Sequence, residues 1–176
     1  MRLFVAVDVS KEVKDHVYEI QHQMTSGLAK VSWVPKSNLH LTLKFLGEVS
    51  DVLVDEVKKR LSLVKFEPFK LTLTHLGFFP SKEYVRVMWI GINPEHKMIE
   101  LQQKVDAELL DLFPQEQKFV SHLTIGRVKF IKKKKEYMKI IESVKVKNIE
   151  FEVKGFKLMR STLRRGSPQY DEIASY

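Results

Sequence analysis

The chain has 176 residues, 44% of them hydrophobic, with no cysteine and 30 Lys and Arg against 22 Asp and Glu, a formal charge of +8 at pH 7. That length suits one domain or two small lobes sharing a core, and the lack of Cys excludes disulfides, thiol catalysis and thiolate metal centres. No apolar run is long enough to span a membrane, "MRLFVAVDVSKEVKDH" lacks the layout of a secretory signal, and the positive excess suits a polyanion such as nucleic acid, so a cytoplasmic protein is expected.

In chain order, Arg2 to Val9 reads as a buried strand, and Ser10 is a helix N-cap for Lys11 to about Met24. His16 and His22 in that helix have no partner at i+4 and are expected on its solvated surface. "VSWVP" and "HLTLKFL" are predicted strands interrupted at Pro35 to Asn38, with Gly47 ending the second. Leu53, Val54, Val57, Leu61 and Val64 recur at helical spacing behind Ser50. "FKLTLTHLGFF" and "YVRVMWIGI" alternate with period two around a Pro80–Lys82 turn and form an antiparallel pair. A third helix is predicted from Pro94 to Leu112, a short one over "KKKKEYMKIIESV", and strands over "IEFEVKGFKLMRS" and "QYDEIASY".

One four-residue pattern occurs twice: His40-Leu41-Thr42-Leu43 and, 82 residues later, His122-Leu123-Thr124-Ile125. Along a strand, residues two apart share a face about 6.6 Å from one another, so each copy presents an imidazole and a hydroxyl together while its aliphatic residues anchor the opposite face. Two imidazoles brought to one place supply a general acid and a general base near neutral pH, and the Thr hydroxyls can donate to charge that builds on non-bridging phosphate oxygens. Neither copy has a second His or a carboxylate at metal-ligand spacing, so no metal is expected. His75 and His96 lack this context and are expected to be structural or solvated.

These strings carry a family likeness. "NLHLTLKFLGEV" and "SHLTIGRV", with "MRLFVAVDVS", "LGFFP", "RVMW" and "STLRRGSPQYDEI", make the chain similar over nearly its whole length to the 2′-5′ RNA ligase-like group of the two-histidine phosphoesterase superfamily. The resemblance implies an α+β, bilobal fold: two antiparallel β-sheets flanking a central cleft with helices packed on the outside, forming a single domain over residues 1–176 from two pseudo-symmetric lobes. It implies an RNA 2′,3′-cyclic phosphodiesterase that leaves a 2′-phosphate, needs no cofactor, and in some members joins RNA ends through 2′-5′ linkages. By the same carry-over His40 is the proton donor and His122 the proton acceptor, with Thr42 and Thr124 beside them. The expected partner is RNA with a 2′,3′-cyclic phosphate end, tRNA fragments among the possibilities, bound by a monomer.

The family pattern adds Arg127 as a phosphate contact and Phe45 as a stacking surface. Each lies five residues beyond its histidine, and simple strand parity puts both on the wrong face. A bulge at Gly126 would return Arg127 to the cleft; Phe45 alternates with Leu41 and Leu43, which leaves a core use open beside stacking. Lys44, Arg86, Lys129, Lys132 to Lys135, Arg160, Arg164 and Arg165 suggest a basic rim, although the lysine run also suits the wet face of a short helix. Trp33 and Trp89 sit in apolar strands and read as core. A noncatalytic RNA-binding module of the same fold, or a phosphodiesterase for a small cyclic nucleotide or 2′-5′ oligoadenylate, are the alternatives.

Overall fold

Alternation and caps set the elements of the chain, all of whose residues, 1–176, are described by the computed structural model. β1 (Arg2–Asp8) buries Leu3 to Val7 and leads into α1 (Lys11–Met24), where Ser10 accepts a hydrogen bond from the Val13 amide at 3.2 Å as the N-cap. β2 (Ala29–Trp33), a 3₁₀ turn at Lys36–Asn38, β3 (His40–Glu48) and α2 (Asp51–Leu61) follow. β4 (Phe69–Pro80) and β5 (Val85–Asn93) form the predicted hairpin, and α3 (Glu95–Glu108) and β6 (Leu123–Ile131) come after it. α4 (Lys134–Ser143), β7 (Glu150–Val153), β8 (Lys157–Arg164) and β9 (Ser167–Ser175) complete the chain. No helix is long and apolar enough to cross a membrane.

The strands are antiparallel throughout, in the order β7-β4-β5-β6-β3-β1-β8-β9, with β2 also on β6. The β4–β7 half and the β1–β9 half meet at a single bridging pair, Leu41 with Leu123. The sheet curls at this seam and leaves the cleft face open. Helices cover the other face, and one cluster of 37 buried residues runs beneath both halves.

Several local readings need correction. "IEFEVKGFKLMRS" is two strands, β7 on β4 and β8 on β1, because Gly155 lies where the chain crosses between halves. There a Cβ would meet the Tyr176 carbonyl at 2.3 Å, and Phe156 exchanges 3.1 and 2.9 Å backbone bonds with Tyr176. Gly47 does not end β3; its φ of 70° accommodates an irregularity beside Leu46, and the strand continues to Glu48. α2 and α3 stop before Val64 and Leu112, and Val64 and Leu109 are buried from the turns that follow. His16 is buried rather than solvated: its Nε2 accepts the Lys147 amide at 2.9 Å.

The pairing slips by one residue in each motif strand. β1 faces Thr42 with Ala6 and Lys44 with Val5, leaving Leu43 as the extra residue. β5 faces Thr124 with Trp89 and Gly126 with Met88, leaving Ile125 as the extra residue. The bulges therefore occupy the same place, the fourth position of each repeated pattern. Each is pinned by a buried polar side chain. Lys44, expected on the basic rim, is buried instead and pairs with Asp106 of α3, while its ammonium also donates to the Pro114 carbonyl at 2.6 Å. Gln21 of α1 donates to the Ile125 and Val34 carbonyls at 2.9 and 2.8 Å.

Removing one member of the Lys44–Asp106 pair strands a buried charge. Asp106→Ala is expected to cost about 3–5 kcal/mol of folding free energy, read by urea unfolding, whereas a Lys44→Met, Asp106→Leu double variant should lose much less. Equal losses in the two proteins would show that the charges are not held as a buried pair.

Candidate active site

β3 and β6 run antiparallel, and their Leu41–Leu123 pair, both members 0% exposed, is sunk in the core. Alternation then turns His40, Thr42 and Thr124, with His122 one residue ahead of β6, to the opposite face. Continued one residue to either side of that single pair, the antiparallel register puts His40 opposite Thr124 and Thr42 opposite His122. In a regular ladder a diagonal pair such as the two histidines stands roughly 7–8 Å apart, a gap that a phosphate group can bridge. The two leucines thus fix the four polar residues as one cluster.

Each imidazole is held in the same way. His40 Nδ1 lies 2.6 Å from the Asn38 carbonyl and His122 Nδ1 lies 2.7 Å from the Val120 carbonyl, in both cases two residues back. A carbonyl only accepts, so Nδ1 carries the proton and donates, and Nε2 is the nitrogen left to exchange protons with a ligand. His40 Nε2 is 2.9 Å from the Thr42 hydroxyl, which donates to it while the ring is neutral.

Aromatic walls flank both half-buried rings. Phe4 lies 5.0 Å from His40 and Tyr170 meets it edge-on at 5.4 Å; Phe79 meets His122 at 5.0 Å and 88°, with Trp89 at 6.1 Å. Burial is the main cause that holds both imidazoles below their ordinary pKa, against the Asn38 and Val120 carbonyls, which favour the charged rings. The remaining charges differ in sign: Asp8 favours the imidazolium at His40, while Arg127 disfavours it at His122. Lys14 and His122 itself oppose Asp8 at His40.

The bulges decide the residues that parity misplaces. Beyond Leu43 the faces are exchanged, so Phe45 stands 70% exposed on the cleft side, its ring 6.2 Å from Phe4, and not in the core with Leu41 and Leu43. Beyond Ile125 the same exchange exposes Arg127, whose charge acts on both His122 and the Tyr170 phenol across the seam. The predicted bulge is present one residue earlier than Gly126; Gly126 itself makes room for Trp33, which a Cβ would meet at 2.7 Å. Trp33 packs against the core as expected. Trp89 does not: it lies beside His122 and over Gly77, where a Cβ would sit 2.3 Å from the indole.

Sequence reasoning does not single out Phe4, Phe79 or Tyr170 as site residues, since each comes from a strand remote from the repeated pattern. His75 and His96 are exposed outside the cluster, as expected. Arg160 pairs with Asp171 at 3.0 Å, and Arg164 and Arg165 occupy the exposed β8–β9 turn.

In an NMR titration of the free protein both His40 and His122 are expected to titrate below the ordinary imidazole value of about 6.5, as Nδ1-protonated tautomers. Inorganic phosphate should raise both values, because an anion stabilises imidazolium. A ring that titrates at the ordinary value and ignores phosphate would contradict this site.

Comparison with known proteins bears on the cluster. The sequence model of the LigT like Phosphoesterase family matches twice, over residues 7–89 and 90–170. The chain is 39% identical over 179 residues to the RNA 2′,3′-cyclic phosphodiesterase of Methanocaldococcus jannaschii, covering 100% of both chains. It is 38% identical to the protein of the same name from Archaeoglobus fulgidus, covering 98% of each. Among solved structures, a Thermus thermophilus protein superposes with a TM-score of 0.82 at 27% identity, covering 100% of this chain and 97% of that one. Escherichia coli LigT complexed with 3′-AMP superposes with a TM-score of 0.78 at 26% identity, covering 99% and 96%. The chain belongs to the LigT-like phosphoesterase family.

Proposed function

We propose that the protein is an RNA 2′,3′-cyclic phosphodiesterase that opens a terminal 2′,3′-cyclic phosphate to a 2′-phosphate. The observation that carries this reading is the register of β3 against β6, together with the matching carbonyl bonds that hold both Nδ1 protons and leave each Nε2 to exchange protons with a ligand. The names of the relatives support the substrate class.

In this reading His122 Nε2 takes a proton from water as its oxygen bonds to phosphorus. The P–O3′ bond breaks, and the His40 Nε2–H gives its proton to the departing 3′ oxygen. Thr42 and Thr124 donate to the non-bridging oxygens, and Arg127 neutralises the charge that gathers there. Phe45 offers a face to the terminal base. The unequal charges support the division of roles: Asp8 helps keep His40 protonated as the acid, and Arg127 helps keep His122 neutral as the base. A 5′-hydroxyl in the place of water would join two ends by a 2′-5′ linkage. The twofold match of the family model, together with the repeated carbonyl bond and bulge, supports descent of the two halves from one duplicated unit.

The test offers a defined oligoribonucleotide with a cyclic end and identifies the product. A 2′-phosphate is expected, and a 3′-phosphate rejects the leaving group. His40→Ala and His122→Ala should each lower kcat by about 10²–10⁴-fold in folded protein, with wild-type turnover unaffected by EDTA.

The pH dependence follows from the same shifts. Activity is lost as pH rises through the pKa of the acid and as it falls through that of the base. With both rings depressed in the free enzyme, the bell of kcat/KM is expected to peak below about pH 6.5. Bound phosphate raises both values, so the kcat profile should lie at higher pH. Coincident profiles peaking above the imidazole range would argue against the pair.

A further inference from the structure

A cyclic phosphate is the 3′ end of its strand, so every other nucleotide must leave the cleft in one direction. The cleft face offers two exits. Across β3, β1 and β8, Asp8, Glu48 and Glu172 face that side, and its lysines are neutralised: Lys14 and Lys157 pair with Asp8 at 3.0 and 3.4 Å, and Lys157 with Glu172 at 2.8 Å, while Arg2, across from Glu48, has no ion pair but stands among these carboxylates.

Along β6 the surface is different. The register sets Ser32 across from Arg127 and Lys30 across from Phe130, all four exposed, while Val31, Val128, Ala29 and Ile131 turn to the core. Phe130 reaches the open face because Lys129 is the extra residue of another bulge, between Val128 and Phe130. It stands 49% exposed, an unusual position for a Phe in mid-strand. Beside it, a hollow of about 220 Å³ is lined by Tyr84, Arg86, Lys129, Phe130, Lys134 and the single carboxylate Glu83, among others. The Arg86 guanidinium lies 5.1 Å over the Tyr84 ring. Lys30, Arg86, Arg127 and Lys129 form no ion pair with any carboxylate.

We infer that this strip is the track for single-stranded RNA upstream of the cyclic phosphate, with Phe130 as a stacking platform for a base and Lys30, Arg127 and Lys129 as its phosphate contacts. The inference rests on the proposed activity for the position of the 3′ end. Exposed rings between unpaired cations are what a single strand requires, because every base has a π-face and every linkage a negative charge. From Thr124 to Phe130 the strand extends roughly 20 Å at 3.3 Å per residue, so the platform serves a nucleotide a few places from the end. The terminal nucleotide does not reach it.

The experiment compares two substrates and one binding measurement. A mononucleoside 2′,3′-cyclic phosphate fills only the cleft; a pentaribonucleotide with the same end also occupies the strip. Phe130→Ala is expected to lower kcat/KM for the pentamer by roughly 10- to 100-fold relative to the mononucleotide, with Phe130→Trp restoring the ratio. Lys30→Ala with Lys129→Ala should flatten the salt dependence of pentamer binding, in log K against log salt, by about 0.7 for each phosphate no longer neutralised. Binding of a fluorescein-labelled pentamer with a 2′-phosphate end, followed by anisotropy, reads the strip without turnover. If Phe130→Ala binds this pentamer as tightly as wild type, or both substrates suffer equally, the track is overturned. If the pentamer binds through Phe130 but neither substrate is hydrolysed, the track stands and the proposed activity falls.

Discussion

A β-strand gives each face only every second residue, whereas the cleft presents the first, third and sixth residues of each repeated segment: His40, Thr42 and Phe45 on β3, and His122, Thr124 and Arg127 on β6. Regular pleating would hide the last of each trio. One extra residue, Leu43 or Ile125, reverses the parity between the hydroxyl and the residue that follows. Such a slip breaks the ladder and must be held. It is held from behind by groups that are costly to leave unpaired in a core: the Lys44–Asp106 ion pair on one strand and the Gln21 amide on the other. The open face thus inherits its geometry from the closed one.

The same separation of faces shapes the chemistry. Leu41 and Leu123 pair across the seam within the core shared by the two halves, so their polar neighbours need make no structural contribution beyond their own carbonyl bonds. Those bonds fix the tautomers, and Phe4, Tyr170, Phe79 and Trp89 exclude water from the ring flanks. Exclusion of water lowers both imidazole pKa values, which would leave a poor acid if nothing countered it. In the proposed reaction an anionic substrate would supply the counter-effect at the moment of binding, with Asp8 and Arg127 biasing which ring keeps the proton.

Much of this is legible in the sequence because it depends on short-range pattern. The period-two alternation of β4 and β5, the Ser10 cap and the repeated His-x-Thr each encode their structure within a few residues. What is not legible depends on partners far along the chain. Nothing near Lys44 announces Asp106, 62 residues away, and nothing near His16 announces Lys147. The bulge beside Leu43 has no glycine to mark it, so local pattern leaves Phe45 between core and cleft, and a strand apolar on both sides points Trp89 to the core. The segment from Ile149 to Ser161 reads as one strand locally and is divided only because its two ends find β4 and β1.

The central claim is that two imidazoles from two strands address one phosphorus atom. A crystal structure of the protein with a bound oligoribonucleotide ending in a 2′-phosphate tests it without inference from rates. The terminal phosphate should lie within about 3.2 Å of the Nε2 atoms of both His40 and His122, with Arg127 on a remaining oxygen. A phosphate that contacts one ring alone, or settles elsewhere on the surface while both rings stay free, would contradict the account.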